Sequence, residues 1–317
     1  MTGRVRWKSR ALGLGIGVLA DRILADPARF HPVAGFGSTA LALEKRMWAP
    51  SRGRGLAYTV TLVTAAAGAG VLAERLGRRS AILTAVATWT VLGGTSLGRD
   101  AERIAAALRA DDLDEARRLL PRLVGRDPSV LDADGVAGAV VESVAENTSD
   151  AVVGALFWGA LAGIPGLLGY RAANTLDAMV GHHNDRYERF GTASARLDDL
   201  ANLVPARLTG LLVAACAPLA GGRPAAAISA WRRDAAAHPS PNAGVCEAAF
   251  AGALDVRLGG RTVYSYRTED RPLLGDGKPP VTDDIARAVT LSRAVSYGAA
   301  AVAMAAVAVL GRGTRRS

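Results

Sequence analysis

Three carboxylates stand at Glu142, Glu146 and Asp150, with Asn147 among them. On a helix these i, i+4, i+8 positions make one acidic stripe. The stripe runs directly into an apolar block at 151–169. Carboxylates at the mouth of an apolar segment are costly unless paired or bound to a cation. A solvated helix start would suit one acid, because it complements the macrodipole, but it does not account for three. The expected chemistry is cation binding or proton transfer. A second group follows at Asn174, Asp177, His182, His183 and Asn184. Adjacent histidines cannot share a helix face, so zinc is disfavoured, and the oxygen-rich set suits magnesium held together with substrate phosphates.

A third group is Arg196, Asp198, Asp199 and Asn202, with Arg207 beyond. An Asp pair flanked by guanidiniums offers a cation site beside a phosphate clamp. The fourth is His238-Pro239-Ser240-Pro241-Asn242. Two prolines stiffen this loop, and Ser240 or Asn242 is placed to cap a helix over 243–257, whose first N–H groups would receive an anion. His31-Pro32 is a second His-Pro pair, which also reads as an ordinary turn. No phosphate-binding G-x-x-x-x-G-K-[ST] frame occurs; Gly275-Asp276-Gly277-Lys278 lacks it. Cys216 and Cys246 read as buried fillers.

The elements that must carry these residues are apolar helices. The chain has 317 residues, 50% of them hydrophobic and 5% aromatic, with 36 glycines. Its apolar residues come in blocks near the roughly 20 residues that a bilayer core requires. Residues 56–73, 80–98 and 294–311 are the clearest spans; 11–24, 151–169 and 203–220 are shorter, or carry proline, glycine or charge, and could span only in part. The segments 100–150 and 221–293 are polar and helical, and 261–267 is a modest strand candidate. The class is all-α, a polytopic membrane protein in a single domain over 1–317. Of the net charge of +9, seven charges lie in two acid-free tails, at Arg4, Arg6, Lys8 and Arg10 and at Arg312, Arg315 and Arg316. That pattern is positive-inside flanking rather than a nucleic-acid-binding face.

In order and spacing the motifs resemble the CobD/CbiB family, adenosylcobinamide-phosphate synthase of cobalamin biosynthesis. The resemblance runs nearly end to end. It takes in Asp21–Pro27 with His31-Pro32-Val33, Val124–Asp127, Glu142–Asp150, Asn174–Gly181, Ser194–Leu200, Pro205–Arg207, His238–Gly244 and Arg271–Gly277. It departs from the family pattern at His182-His183, Val245 and Asp255, which bear on substrate preference.

The resemblance implies an enzyme of the cell membrane that joins the carboxylate of adenosylcobyric acid to the amine of aminopropanol phosphate or aminopropanol. ATP and magnesium are the expected activators; the corrinoid is substrate, not cofactor. An acyl phosphate would make the carboxylate reactive, so the site needs acids for metal, cations for phosphate, and a base. Catalytic candidates are Glu142, Glu146, Asn147, Asp150, Asn174, Asp177, Arg196, Asp198 and Asp199. Substrate-binding candidates are His31, Asn184, Arg207, His238, Ser240, Asn242 and Lys278. Magnesium candidates are Glu146, Asp150, Asp177, Asp198 and Asp199. The expected partners are the two substrates, membrane lipid and other cobalamin-assembly enzymes, and no nucleic acid. The rival readings are an intramembrane magnesium-diphosphate transferase and a transporter. The first lacks its full repeated Asp pattern here, and the second lacks internal repeat symmetry. Basic tails predict both ends in the cytoplasm. Six full spans would then part the acidic stripe from the 174–199 motifs, so 151–169 or 203–220 is expected to cross incompletely.

Overall fold

The computed structural model describes residues 2–26, 31–77, 80–182, 184–263 and 268–313. Helices dominate, and among the described residues four helical stretches are long and apolar enough to cross a membrane: Arg52–Leu76, Ala81–Arg109, Thr192–Ala220 and Thr282–Gly311. The fold is therefore all-α and polytopic in character. The segments 56–73, 203–220 and 294–311 lie inside three of these, while 80–98 is interrupted, one helix ending at Val91 and the next beginning at Gly94.

The chain divides into two compact units, residues 1–93, 150–202 and 299–317 in the first, and 94–149 and 203–298 in the second. In the first, α1 (Thr2–Leu24) packs along α4 (Ala81–Val91), and α3 (Arg52–Leu76) along α9 (Ile164–Val180). The α1–α4 crossing depends on Gly13 and Gly17, one turn apart. A Cβ there would sit 2.5 Å from Thr84 Cβ and 2.4 Å from Thr88 Cβ. Small residues at this spacing let backbones approach closely in membrane bundles. α2 (Pro32–Met47) covers an apolar cluster of Tyr58, Leu62, Leu176, Val180 and Phe190.

The block 151–169 is not one helix. A five-residue π-turn, Ser149–Val153, leads into α8 (Gly154–Ala162), and Gly163 at φ +71 breaks the chain before α9. Pro165 follows in the first turn of α9, where its missing N–H costs nothing. Buried side chains take up the backbone groups that the break leaves open. Arg10 donates to the carbonyls of Ala160 and Leu161 at 3.2 and 3.1 Å, and Glu74 accepts from Ile164 N at 3.1 Å. The segment 11–24 belongs to a 23-residue helix whose N-terminal half is charged.

In the second unit, α5 (Gly94–Arg109) and α6 (Leu113–Leu119) form a helical hairpin whose Ile104, Leu108, Leu119 and Leu120 are buried. Asp112 caps α6 through Glu115 N at 2.9 Å. α7 (Ala133–Thr148) packs on α5 and on α12 (Ala243–Leu254), which also pairs with α11 (Pro224–Asp234). The expectation of one modest strand at 261–267 is corrected. β1 (Leu258–Val263) and β2 (Thr268–Leu274) form an antiparallel pair, and 264–267 lie outside the described residues. Gly259 and Gly260, both at positive φ, bend β1 at a register shift. α10 (Thr192–Cys216) and α13 (Thr282–Gly313) supply the long apolar helices of the C-terminal half.

Candidate functional site

Two polar clusters emerge, one in each unit. In the first unit α9 and α10 present Tyr170, Arg171, Asn174, Asp198 and Asn202, and the π-turn presents Asp150. Asn174 Nδ2 lies 3.3 Å from both Asp150 Oδ2 and Asp198 Oδ1, and its Oδ1 accepts from Arg171 at 3.2 Å. Asp198, 8% exposed, accepts from Asn202 at 3.0 Å, and Asn202 in turn accepts from Tyr170 Oη at 2.8 Å. One amide thus holds two carboxylates from different elements. Asn174, Asp150 and Asp198, candidates from the sequence, are brought together here, and Arg171 and Tyr170 join them unanticipated. The only signal for them was a polar Tyr-Arg pair directly after an apolar block.

The second cluster gathers around α7 and α12. Glu142 is buried; it accepts hydrogen bonds from Arg126 and from Gly259 N, the latter at 2.8 Å. One turn on, Glu146 is exposed. Yet burial pushes its carboxyl pKa up, Arg271 and Arg126 opposing and Glu142 adding to the shift. Glu247 on α12 is 1% exposed. Burial raises its pKa well above the carboxylate range, with Glu142 and Glu146 adding to the rise. His238 Nε2 stands 3.7 Å from Glu247 Oε1, and burial lowers the imidazole pKa. Arg271 from β2 lies 4.0 Å from Glu269.

Sequence reasoning identified Glu142, Glu146 and His238 but not Arg126, Arg271 or Glu247 as site residues. Glu247 did leave a trace. It is the one charged residue of α12, whose sequence is otherwise apolar.

Several expectations are corrected. Glu142, Glu146 and Asp150 do not act as one stripe. The α-helical register ends at Thr148, and the π-turn gives Asp150 its own partners. The five expected magnesium ligands do not form one cage. Among the described residues no three His, Cys, Asp or Glu side chains converge to hold an ion. Asn147 turns back on its own helix, donating to Ser143 O at 2.9 Å. Asn184 Oδ1 accepts from Arg186 N and Tyr187 N at 3.1 and 3.0 Å, closing a turn rather than facing a ligand. His31 Nδ1 caps α2 through Val33 N at 3.1 Å.

The loop before α12 differs from expectation in two ways. The helix ends at Leu254, not 257, with Asp255 left-handed at φ +57. Its first N–H groups are already taken: Ala243 N by Ser240 Oγ at 3.2 Å, and Gly244 N by Ser240 O at 3.3 Å. A helix start satisfied from within its own loop has no donors left for an anion. Asn242 is not the cap; its Oδ1 accepts from Arg207 at 2.7 Å. The guanidinium of Arg207 is thus the charged group held at this loop. Arg196 and Lys278 are exposed, while Asp177 and Asp199 are half-buried on α9 and α10. His182 is exposed, and His183 lies outside the described residues.

Residues 14–292 match the family model described as CobD/Cbib protein. The chain is 54% identical over 300 residues to "Cobalamin biosynthesis protein CobD" of Mycobacterium tuberculosis, covering 94% of this chain and 96% of that protein. It is 45% identical over 276 residues to the protein of the same name from Rhodobacter capsulatus, covering 84% and 86%. For that of Chromobacterium violaceum the identity is 42% over 310 residues, covering 95% and 98%. No solved structure matches the chain.

Proposed function

Because the chain belongs to the CobD/CbiB family and so to cobalamin biosynthesis, we propose that it forms the amide bond between adenosylcobyric acid and aminopropanol phosphate or aminopropanol. The observation that carries this reading is the charged cluster of the second unit, where Glu142 is held by Arg126 and Gly259 N and the buried Glu247 lies 3.7 Å from His238. Amide formation from a carboxylate and an ammonium needs both carboxyl activation and removal of a proton from nitrogen. ATP is the activating co-substrate in this reading. Phosphoryl transfer to the corrinoid carboxylate would give an acyl phosphate, and the enzyme needs no covalent nucleophile of its own.

Asp150 and Asp198, joined through Asn174, have the hard-oxygen character that suits magnesium shared with phosphate oxygens rather than enclosed by protein. When bound, magnesium would neutralise phosphate charge. The half-buried Asp177 and Asp199 are the further acids of the same two helices. Arg171, half-buried beside this cluster, balances its negative charge, and Arg207, oriented by Asn242, is the proposed guanidinium for a substrate phosphate.

The test is direct. Purified protein in detergent, given ATP, magnesium, adenosylcobyric acid and aminopropanol phosphate, should yield the amide and ADP. A chelator should abolish turnover. Absence of the amide with either amine would overturn the reading. The proposed location is the cell membrane, with both tails cytoplasmic.

A further inference from the structure

Glu247 and its surroundings form a site that the family relationship does not assign. Glu142 has Arg126 as its ion-pair partner, and Glu269 has Arg271. Among the described residues neither Glu146 nor Glu247 has a guanidinium at ion-pair distance, and Glu247 is buried with only the His238 imidazole within that distance of it. A buried carboxylate so placed must be matched by a proton or by a cation.

His238 does not supply that cation. Burial lowers its imidazole pKa; Nδ1 lies 3.0 Å from Ser240 N and 3.2 Å from Ser240 O, and Nε2 is on the side of Glu247. Both side chains of this pair are 2% exposed. Glu247 Oε2 is buried and has no hydrogen-bond partner among the described residues, and the same holds for His238 Nε2. A carboxylate oxygen so placed costs free energy until something donates to it. Glu146, on the helix that packs against α12, is exposed to solvent.

We propose that Glu146 and Glu247 together seat the primary ammonium group of the amine substrate, and that Glu247 exchanges a proton with it. At rest Glu247 is a carboxylic acid. Arrival of R–NH3+ displaces its proton to solvent, leaving the ammonium between two carboxylates. In the reaction the ammonium returns a proton to Glu247, giving R–NH2. The nitrogen lone pair then attacks the acyl carbon. The carbon–nitrogen bond forms, the carbon–oxygen bond to phosphate breaks, and the second nitrogen proton leaves with the phosphate. His238 is a positioning residue, its Nε2 3.7 Å from Glu247 Oε1. The groups facing Glu247 are Glu142 and Glu146 from α7, Arg271 from β2, Arg126 from the loop before α7, and His238 from the loop before α12.

This inference rests on the amide-forming reading, but its test reads binding alone. Full-length protein in detergent is titrated calorimetrically with aminopropanol phosphate, and separately with aminopropanol, in two buffers of different ionisation enthalpy. Aminopropanol controls for titration of the phosphate itself. Wild type should release about one proton per amine bound. Glu247→Gln should bind roughly ten- to a hundredfold more weakly and release none. Infrared difference spectra should show a protonated carboxyl band in wild type that is lost on amine addition. Glu247→Asp, which keeps a carboxyl, should shift that band and retain the linkage; it decides the matter if the Gln variant does not fold. Magnesium chloride alone should leave the proton in place.

No amine binding, binding without proton release, release unchanged in Glu247→Gln, or release by magnesium would each overturn the proposal. Amide formation without proton linkage would defeat this inference and leave the proposed function standing. Proton-linked amine binding without amide formation would do the reverse.

Discussion

At the scale of single residues, charge placement in the second unit's cluster sets the expectations for activity and stability. Glu146 meets solvent while held among Glu142, Arg126 and Arg271, which fits a group acting on substrate. Glu146→Gln preserves size and helix propensity while removing the charge. Amide formation should fall by at least about a hundredfold, the scale of losing an electrostatic partner of the transition state, with protein levels in membranes unchanged. Glu142 has a different part. It is buried against Arg126 and Gly259 N. Arg126→Ala should strand this carboxylate and cost about 3–5 kcal/mol of stability. Adding Glu142→Gln should recover much of that loss, since the amide carries no charge to strand. Thermal unfolding of the two single variants and the double variant in detergent measures the coupling.

At the scale of elements, the broken segment after α7 sets the geometry of the first unit's cluster. The π-turn re-aims Asp150, and the Gly163 break lets α9 return with Tyr170, Arg171 and Asn174 on the side of Asp150. A Cβ at Gly163 would fall 2.1 Å from Glu74 Oε1 and 2.7 Å from an Arg10 nitrogen, at a φ that side chains rarely adopt. Gly163→Ala should therefore cost about 1–3 kcal/mol from backbone strain, plus the loss of the Glu74–Ile164 hydrogen bond. A melting temperature equal to wild type would show that the break tolerates a side chain. The motifs on either side of this break were legible from residue type. The break was legible only as a doubt about one block rich in glycine and proline, because a π-turn has no composition of its own.

For the whole molecule, proton linkage gives a signed expectation. The folded-state pKa of Glu247 lies above its unfolded value of 4.5, so the folded chain holds that proton more tightly. Its contribution is fully present below the unfolded pKa and is lost as pH rises through the folded one. Glu247→Gln should flatten this decline and stabilise the protein on the alkaline side. His238 works the other way, since its folded pKa is lowered from 6.5 and its contribution is lost as pH falls. The difference between wild type and Glu247→Gln across pH isolates the carboxyl. A second expectation concerns orientation. Four candidate spans make an even number, and the basic tails should hold both ends in the cytoplasm. A reporter fused at the C-terminus that is active only outside the cytoplasm should be silent; activity there would reverse the assignment.

What the sequence by itself determined was class, family and most of the charged inventory. Apolar blocks of bilayer length force helices, since backbone groups in lipid must bond within their own segment. Motif order identifies the family without any geometry, and the Asn174, Asp198 and Glu142 motifs were readable because polar groups beside apolar blocks are expensive. Tertiary structure alone decided which of these groups meet. Glu142 looked like a neighbour of Asp150, yet its partners are Arg126 and Gly259, distant in the chain or in another element. Asn242 looked like a helix cap and instead holds Arg207, thirty-five residues earlier. Glu247 was invisible because one acid in an apolar helix means nothing until its surroundings are known. The cost of a buried charge, and so its chemical use, is set by what packs around it, and sequence spacing does not carry that information.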